Sequence, residues 1–234
     1  MFENHFYNES TRRMVSVFGS IFNDLEVVKK DSAGKILQKI KVPLSYAPRS
    51  KVLARLNEQT TDPNIALKLP RMSFEISSFE YDANARVSKH KNYKKVIVGD
   101  TLQLNKLGAP AVYKVGFELN LLAKTQDEAL QILEQILPMF QPEYTVTIKD
   151  IPDMDISTDT PIILESVDTN DEYEGDLVTR RAIVYTLGFG TRIRYYRGVG
   201  KSKQILETEV DYSENVDPTT HQFERQAIDG TTTS

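Results

Sequence analysis

Residues 111–142 read AVYKVGFELNLLAKTQDEALQILEQILPMFQP, and the spacing of apolar residues changes once within them. Tyr113, Val115, Phe117, Leu119, Leu121 and Ala123 fall at every second position, which predicts a strand over 112–124 with one face buried. From Thr125 the period lengthens to that of a helix. Thr125 and Glu128 have capping-box spacing, each able to satisfy an orphan amide of the first turn. Leu130, Leu133, Ile136, Leu137 and Phe140 form the expected buried stripe. Pro138 lies near the end of the pattern and Pro142 stops it. A strand that passes directly into a helix, both with an apolar face, calls for a sheet covered by helices.

Working outward, residues 10–22 place Met14, Val17, Phe18, Ile21 and Phe22 at helical spacing, with Asn8 or Ser10 available as a cap. Residues 25–45 read as a β-hairpin turning at Gly34, and Pro48 opens a short helix with Val52, Leu53 and Leu56 inward. From Arg71 to Tyr81 the apolar phase slips at Ser77-Ser78, which predicts a β-bulge. Residues 83–99 are polar and basic and suggest an extended arm or loop. Strands are expected at 144–148, 161–167 and 179–195. The order gives an α+β or mixed α/β fold, a largely antiparallel sheet flanked by helices. Residues 1–211 are expected to form a single domain. Beyond Tyr212 the chain is polar and aperiodic, so 212–234 reads as a flexible tail.

The chain has 234 residues, 40% of them hydrophobic, enough for a real core. A net charge of −4 gives no argument for nucleic acid or membrane as the main partner, and zero cysteines remove thiolate chemistry and disulfides. Glu3 stands where a signal peptide would be basic, and no apolar run approaches membrane-spanning length, so a soluble product is expected. His5, His90 and His221 are scattered. No Walker loop, nucleophile elbow or GxGxxG occurs, and Gly188-Phe189-Gly190 lies within a strand pattern. Nothing points to catalysis or to a cofactor.

Charge is segregated instead. From Asp150 to Asp176 there are ten acids and no Lys or Arg. An EF-hand fragment starts at Asp168, with Asn170, Glu172 and Glu174 at alternate positions, but Tyr173 stands where that loop needs glycine. From Leu177 to Gln204 there are Arg180, Arg181, Arg192, Arg194, Arg197, Lys201 and Lys203, with no acid. Such a basic and aromatic stretch can bind nucleic acid, or be a solvated strand face. Together the two stretches suit head-to-tail association, one copy's Arg180, Arg181, Arg192, Arg194 and Arg197 meeting a neighbour's Asp168, Asp171, Glu172 and Glu174. Arg12 and Arg13 sit at a helix start, where the dipole disfavours cations. They are expected to contact another chain or to pin the helix against the acidic loops.

Several stretches in order resemble the tail-completion or sheath-stabiliser proteins of T-even-like contractile phages. They are Phe6-Tyr7-Asn8 with Arg12-Arg13, Val42-Pro43-Leu44-Ser45-Tyr46-Ala47, Leu69-Pro70-Arg71, Gln135-Ile136-Leu137-Pro138-Met139-Phe140-Gln141-Pro142, and Arg180-Arg181. The resemblance covers roughly residues 1–190 and fades after Gly198. It implies a non-enzymatic virion protein without a cofactor, a homo-hexameric ring at the head-proximal end of the tail. Implied partners are the tail tube terminator, the last ring of tail sheath protein, gripped by strand addition, and the neck proteins of the filled head. DNA would only pass through the channel. A tube terminator or head-side neck protein is the alternative within virion parts, and a DNA-binding assembly factor or a metal-dependent hydrolase the alternative outside them.

Overall fold

The computed structural model describes residues 5–31, 34–61, 68–97, 100–141, 143–172, 182–203, 209–211 and 225–227. In chain order the elements are α1 (Ser10–Ile21), β1 (Glu26–Lys30), β2 (Ile36–Lys41), β3 (Leu44–Tyr46), α2 (Arg49–Thr61), β4 (Arg71–Tyr81), β5 (Asn92–Ile97), β6 (Asp100–Gly108), β7 (Ala111–Ala123), α3 (Gln126–Ile136), β8 (Glu143–Ile151), β9 (Ile156–Glu172), β10 (Ala182–Tyr195), β11 (Gly200–Lys203), β12 (Glu209–Asp211) and β13 (Arg225–Ala227). The chain divides into two units, 1–88 with 110–196, and 89–109 with 197–234.

The first unit is built on a six-stranded sheet in the order β3-β4-β7-β10-β9-β8. Its centre is the long pair β7 and β10, antiparallel from Ala123 opposite Ile183 to Ala111 opposite Tyr195. The alternation read from the sequence holds: Val115, Phe117, Leu119, Leu121 and Ala123 are buried, with Tyr113 packed beside them. Phe18 of α1 lies on this face, stacked on Phe117 at 4.5 Å between ring centroids and 5.2–5.3 Å from Phe74 and Phe189. Gly19 permits the approach, since a Cβ there would lie 3.1 Å from the Phe74 ring. Each such fully buried side chain contributes roughly 1.5–3 kcal/mol. The β4 bulge falls where the phase slips, between Ile76 and Ser78.

Three expectations need correction. The fold is mixed, as read, but it is chiefly sheet, and helices do not simply flank one antiparallel sheet. The β3–β4 pair is parallel, and α2 lies across the sheet from α1 and α3, its Val52 packing on Leu122 and Val184. The stripe of α3 is rotated: Ala129, Ile132, Leu133 and Ile136 are buried, while Leu130 and Leu137 are 44% and 40% exposed. The reason is polar. Thr125 caps Glu128 N, and the buried Glu128 carboxylate accepts from Lys124 N and pairs with Lys29 Nζ at 3.3 Å. Gln131 Oε1 accepts from Val28 N at 2.9 Å, and Gln135 Nε2 donates to Glu26 O at 2.8 Å. These side chains bind the outer edge of β1, so α3 turns its glutamines there rather than Leu130. Finally, neither Asn8 nor Ser10 caps α1. Glu9 is its N-cap, in left-handed backbone, and Asn8 donates to Tyr196 O instead.

The second unit contains the three-stranded sheet β11-β6-β5 and the pair β12–β13. Part of the expected arm is therefore strand: residues 92–97 pair with β6. In the segment read as a flexible tail, Arg225–Ala227 pair antiparallel with Glu209–Asp211. Residues 212–224 and 228–234 lie outside the described residues.

Candidate assembly surfaces

Helix α1 presents Arg12 and Arg13 one residue apart, and the structure gives them different roles. Arg12 is exposed and, among the described residues, pairs with Glu9 alone, at 3.2 Å. Arg13 reaches the end of β8 and donates through Nη1 to Lys149 O at 2.7 Å and Asp150 O at 2.8 Å. It thus pins the helix to the acidic stretch by backbone carbonyls rather than carboxylates.

Beneath Arg13 lies Asp150, 7% exposed. Burial raises its pKa; the Thr158 hydroxyl, donating at 2.7 Å, and the charges of Arg194 and Arg13 oppose that rise only in part. The recess here is lined by Ser10, Met14, Asp150, Thr158 and Arg194 among others, and its volume is about 10 Å³, room for one water at most.

Arg192, taken from sequence as a contact for a neighbour, is used within its own chain. Its Nε donates to Asp82 Oδ2 at 2.8 Å across 110 residues. Asp82 also accepts from the amides of Asn84 and Ala85. Burial opposes its ionisation. The Arg192 hydrogen bond and charge and the two amides outweigh it, and its pKa falls below the ordinary carboxylate value. Sequence reading missed Asp82, although Asp-Ala-Asn-Ala after a strand has the pattern of an Asx turn.

Arg194 is half-buried opposite Val112 and near Asp150, and Arg197 is exposed in the second unit. Asp168 is exposed and opposes Thr186, and Asp171 and Glu172 oppose Ile183 and Ala182 in backbone register. Arg180, Arg181 and Glu174 lie outside the described residues. The expected facing sets are thus only partly placed, with Arg13 and Arg192 already committed to internal bonds.

An open groove of about 750 Å³ runs between the β1–β2 hairpin and α3, lined by Glu26, Val28, Lys30, Ile36, Asp127, Gln131, Glu134 and Gln135. Its lining holds no serine, threonine or histidine, so no nucleophile–base pair stands there. Among the described residues no three His, Asp or Glu side chains converge to hold a metal ion.

The other distinctive surfaces are sheet edges and exposed apolar side chains. Among the described residues β8 ends the six-stranded sheet, pairing with β9 on its inner side. The opposite edge, β3, is three residues long between Pro43 and Pro48. Leu130, Leu137 and Met139 lie exposed on and after α3. Among the described residues the distinctive surfaces are thus sheet edges and charged faces.

Residues 5–234 match the T4-like virus Myoviridae tail sheath stabiliser family, and the chain belongs to that family. It is similar to the tail completion protein gp15 of Enterobacteria phage T4, with 27% identity over 217 residues, covering 87% of this chain and 76% of that protein. It is accordingly a structural protein of a phage tail and not an enzyme.

Proposed function

We propose that six copies close the head-proximal end of a contractile tail as a ring. The ring caps the tail tube at its terminator, holds the last sheath ring and offers a surface to the neck proteins of the filled head, while DNA passes through unread. The family match supports the place in the tail. The observation that carries the grip is the edge of β8, Glu143 to Ile151, which among the described residues has no strand on its outer side, Arg13 meeting only its Lys149 and Asp150 carbonyls. An edge of that length attracts a strand unless a partner covers it, and a sheath protein with an extended arm supplies one by main-chain hydrogen bonding.

Hydrogen exchange on free protein and on purified tails tests the grip. Outward amides of β8 exchange freely in the subunit and become protected on the tail. Equal exchange in both states removes β8 from the contact. Six-fold rings in negative-stain views of tail ends test the stoichiometry, and any other symmetry refutes it.

A further inference from the structure

Two sheet faces in this chain each carry a like-charged pair set directly opposite, acidic on one and basic on the other; the face with the acidic pair also carries Lys114, which stands opposite Glu80 and Arg192. On the six-stranded sheet, Glu75 of β4 stands opposite Glu118 of β7. Cross-strand neighbours of like charge repel, and each pair destabilises its sheet unless a counter-charge arrives. Around them lie three glycines whose side-chain space is taken by short polar groups and one carboxylate. Gly190 opposes Gly116, and Gly188 opposes Glu118. Ser77 and Ser78 hydroxyls lie 2.6 Å from where Gly116 would carry a Cβ, and that of Ser166 lies 2.7 Å from the same point at Gly188. The Glu165 carboxylate lies over Gly190, and Asp168 stands exposed two residues beyond Ser166. Among the described residues none of Glu75, Glu118, Glu165 and Asp168 joins an ion pair.

The three-stranded sheet of the second unit has the complementary pattern. Lys94 of β5 stands opposite Lys106 of β6, which stands opposite Gly200 of β11. Both lysines are exposed, neither joins an ion pair among the described residues, and Val96 beside them is 48% exposed.

We propose that the lysine face of one copy's three-stranded sheet docks on the acidic pair of the next copy's six-stranded sheet, placing Lys94 and Lys106 against Glu75 and Glu118. The proposal rests on the ring reading above and names the surfaces that close it. Charge complementarity selects a second copy as the occupant, since both halves of the match are on one chain. The contact is heterologous: each copy gives one face and receives at the other, which generates a closed ring when the rotation closes.

The test uses two full-length variants, Lys94→Glu with Lys106→Glu, and Glu75→Lys with Glu118→Lys. Each alone sets like charges against like. Incorporation into tails lacking the native chain, and self-association by sedimentation, are expected to fall roughly tenfold or more for each. Mixed in equal amounts the variants alternate, every contact again joins opposite charges, and assembly returns. Recovery on mixing also shows that both variants fold. Should the second variant not fold by circular dichroism, Glu165→Lys with Asp168→Lys probes the same face. Normal assembly of each variant alone overturns the docking and leaves the ring reading intact, whereas native tails without a ring overturn that reading. Loss without recovery on mixing, with salt-dependent binding of a random DNA duplex lost only in the lysine variant, overturns the docking in favour of nucleic acid.

Discussion

Phe18→Ala tests the core where several elements meet. The ring is fully buried and lies 4.5–5.3 Å, centroid to centroid, from Phe22, Phe74, Phe117 and Phe189. Removing it forfeits about 2–3 kcal/mol of transfer free energy. A cavity of roughly 100 Å³ that did not relax would add about 2 kcal/mol. Relaxation is poor here, because Phe74, Phe117 and Phe189 stand on three hydrogen-bonded neighbours, β4, β7 and β10, which cannot move in independently. The expected loss is therefore about 4 kcal/mol, seen in urea unfolding followed by far-ultraviolet circular dichroism, with a fall in Tm of about 10 °C. A cycle with Phe117→Leu is expected to show coupling of about 0.5–1.5 kcal/mol, since those rings stack at an interplanar angle of 11°. A loss below about 1.5 kcal/mol at unchanged urea dependence would refute the claim that this cluster fastens α1 to the sheet.

Arg13→Ala removes two charge-assisted bonds to carbonyls and is expected to cost about 1–2 kcal/mol, discounted for partial exposure, while Arg12→Ala stays within about 0.5 kcal/mol; equal losses in thermal melts would contradict the pinning role. Ile132→Ala is expected to cost about 2–5 kcal/mol, against less than about 0.5 kcal/mol for Leu130→Gln, and urea midpoints in the reverse order would overturn the rotated stripe. Asp150, whose pKa is raised by burial, binds more protons folded than unfolded in the window that opens at the ordinary carboxylate pKa and runs upward. Its contribution to stability therefore falls as pH rises through that window. Asp150→Asn removes that decline, and a native-like slope in the variant's pH–stability curve would show that another group causes it.

The central strand and the start of the helix after it were legible because both signals are local. Alternation from Tyr113 to Ala123 and the Thr125–Glu128 spacing lie within a few residues of the structure they specify. The bulge at Ser77-Ser78 was legible for the same reason, as a slip of phase inside one strand. The rotation of α3 was not, because it depends on Lys29, Val28 and Glu26, about 100 residues away, which bind Glu128, Gln131 and Gln135. Hydrophobicity alone favoured Leu130. The β5–β6 hairpin escaped notice because it has little core to announce it: among its described side chains Leu107 is the buried hydrophobic one, amid lysines and polar residues. The internal use of Arg192 was hidden for a different reason. An arginine on a strand face looks the same in sequence whether it meets solvent, another chain or an aspartate 110 residues away.

The two ends of the six-stranded sheet differ, and so do the ways in which edges are occupied. β3 is short and bracketed by proline, and the outer edge of β1 in the neighbouring hairpin is occupied by the side-chain amides of Gln131 and Gln135 in place of a strand. Within the first unit that leaves β8 as the long rim of the main sheet. In terms of valence, the sheet has, among the described residues, one long edge and none of comparable length on its far side. A subunit with two such sites passes the exchange onward and propagates a lattice without limit. On the strand-addition reading proposed above, a sheet with one such site receives a strand and hands none on, so a series of strand-sharing parts would stop where it binds.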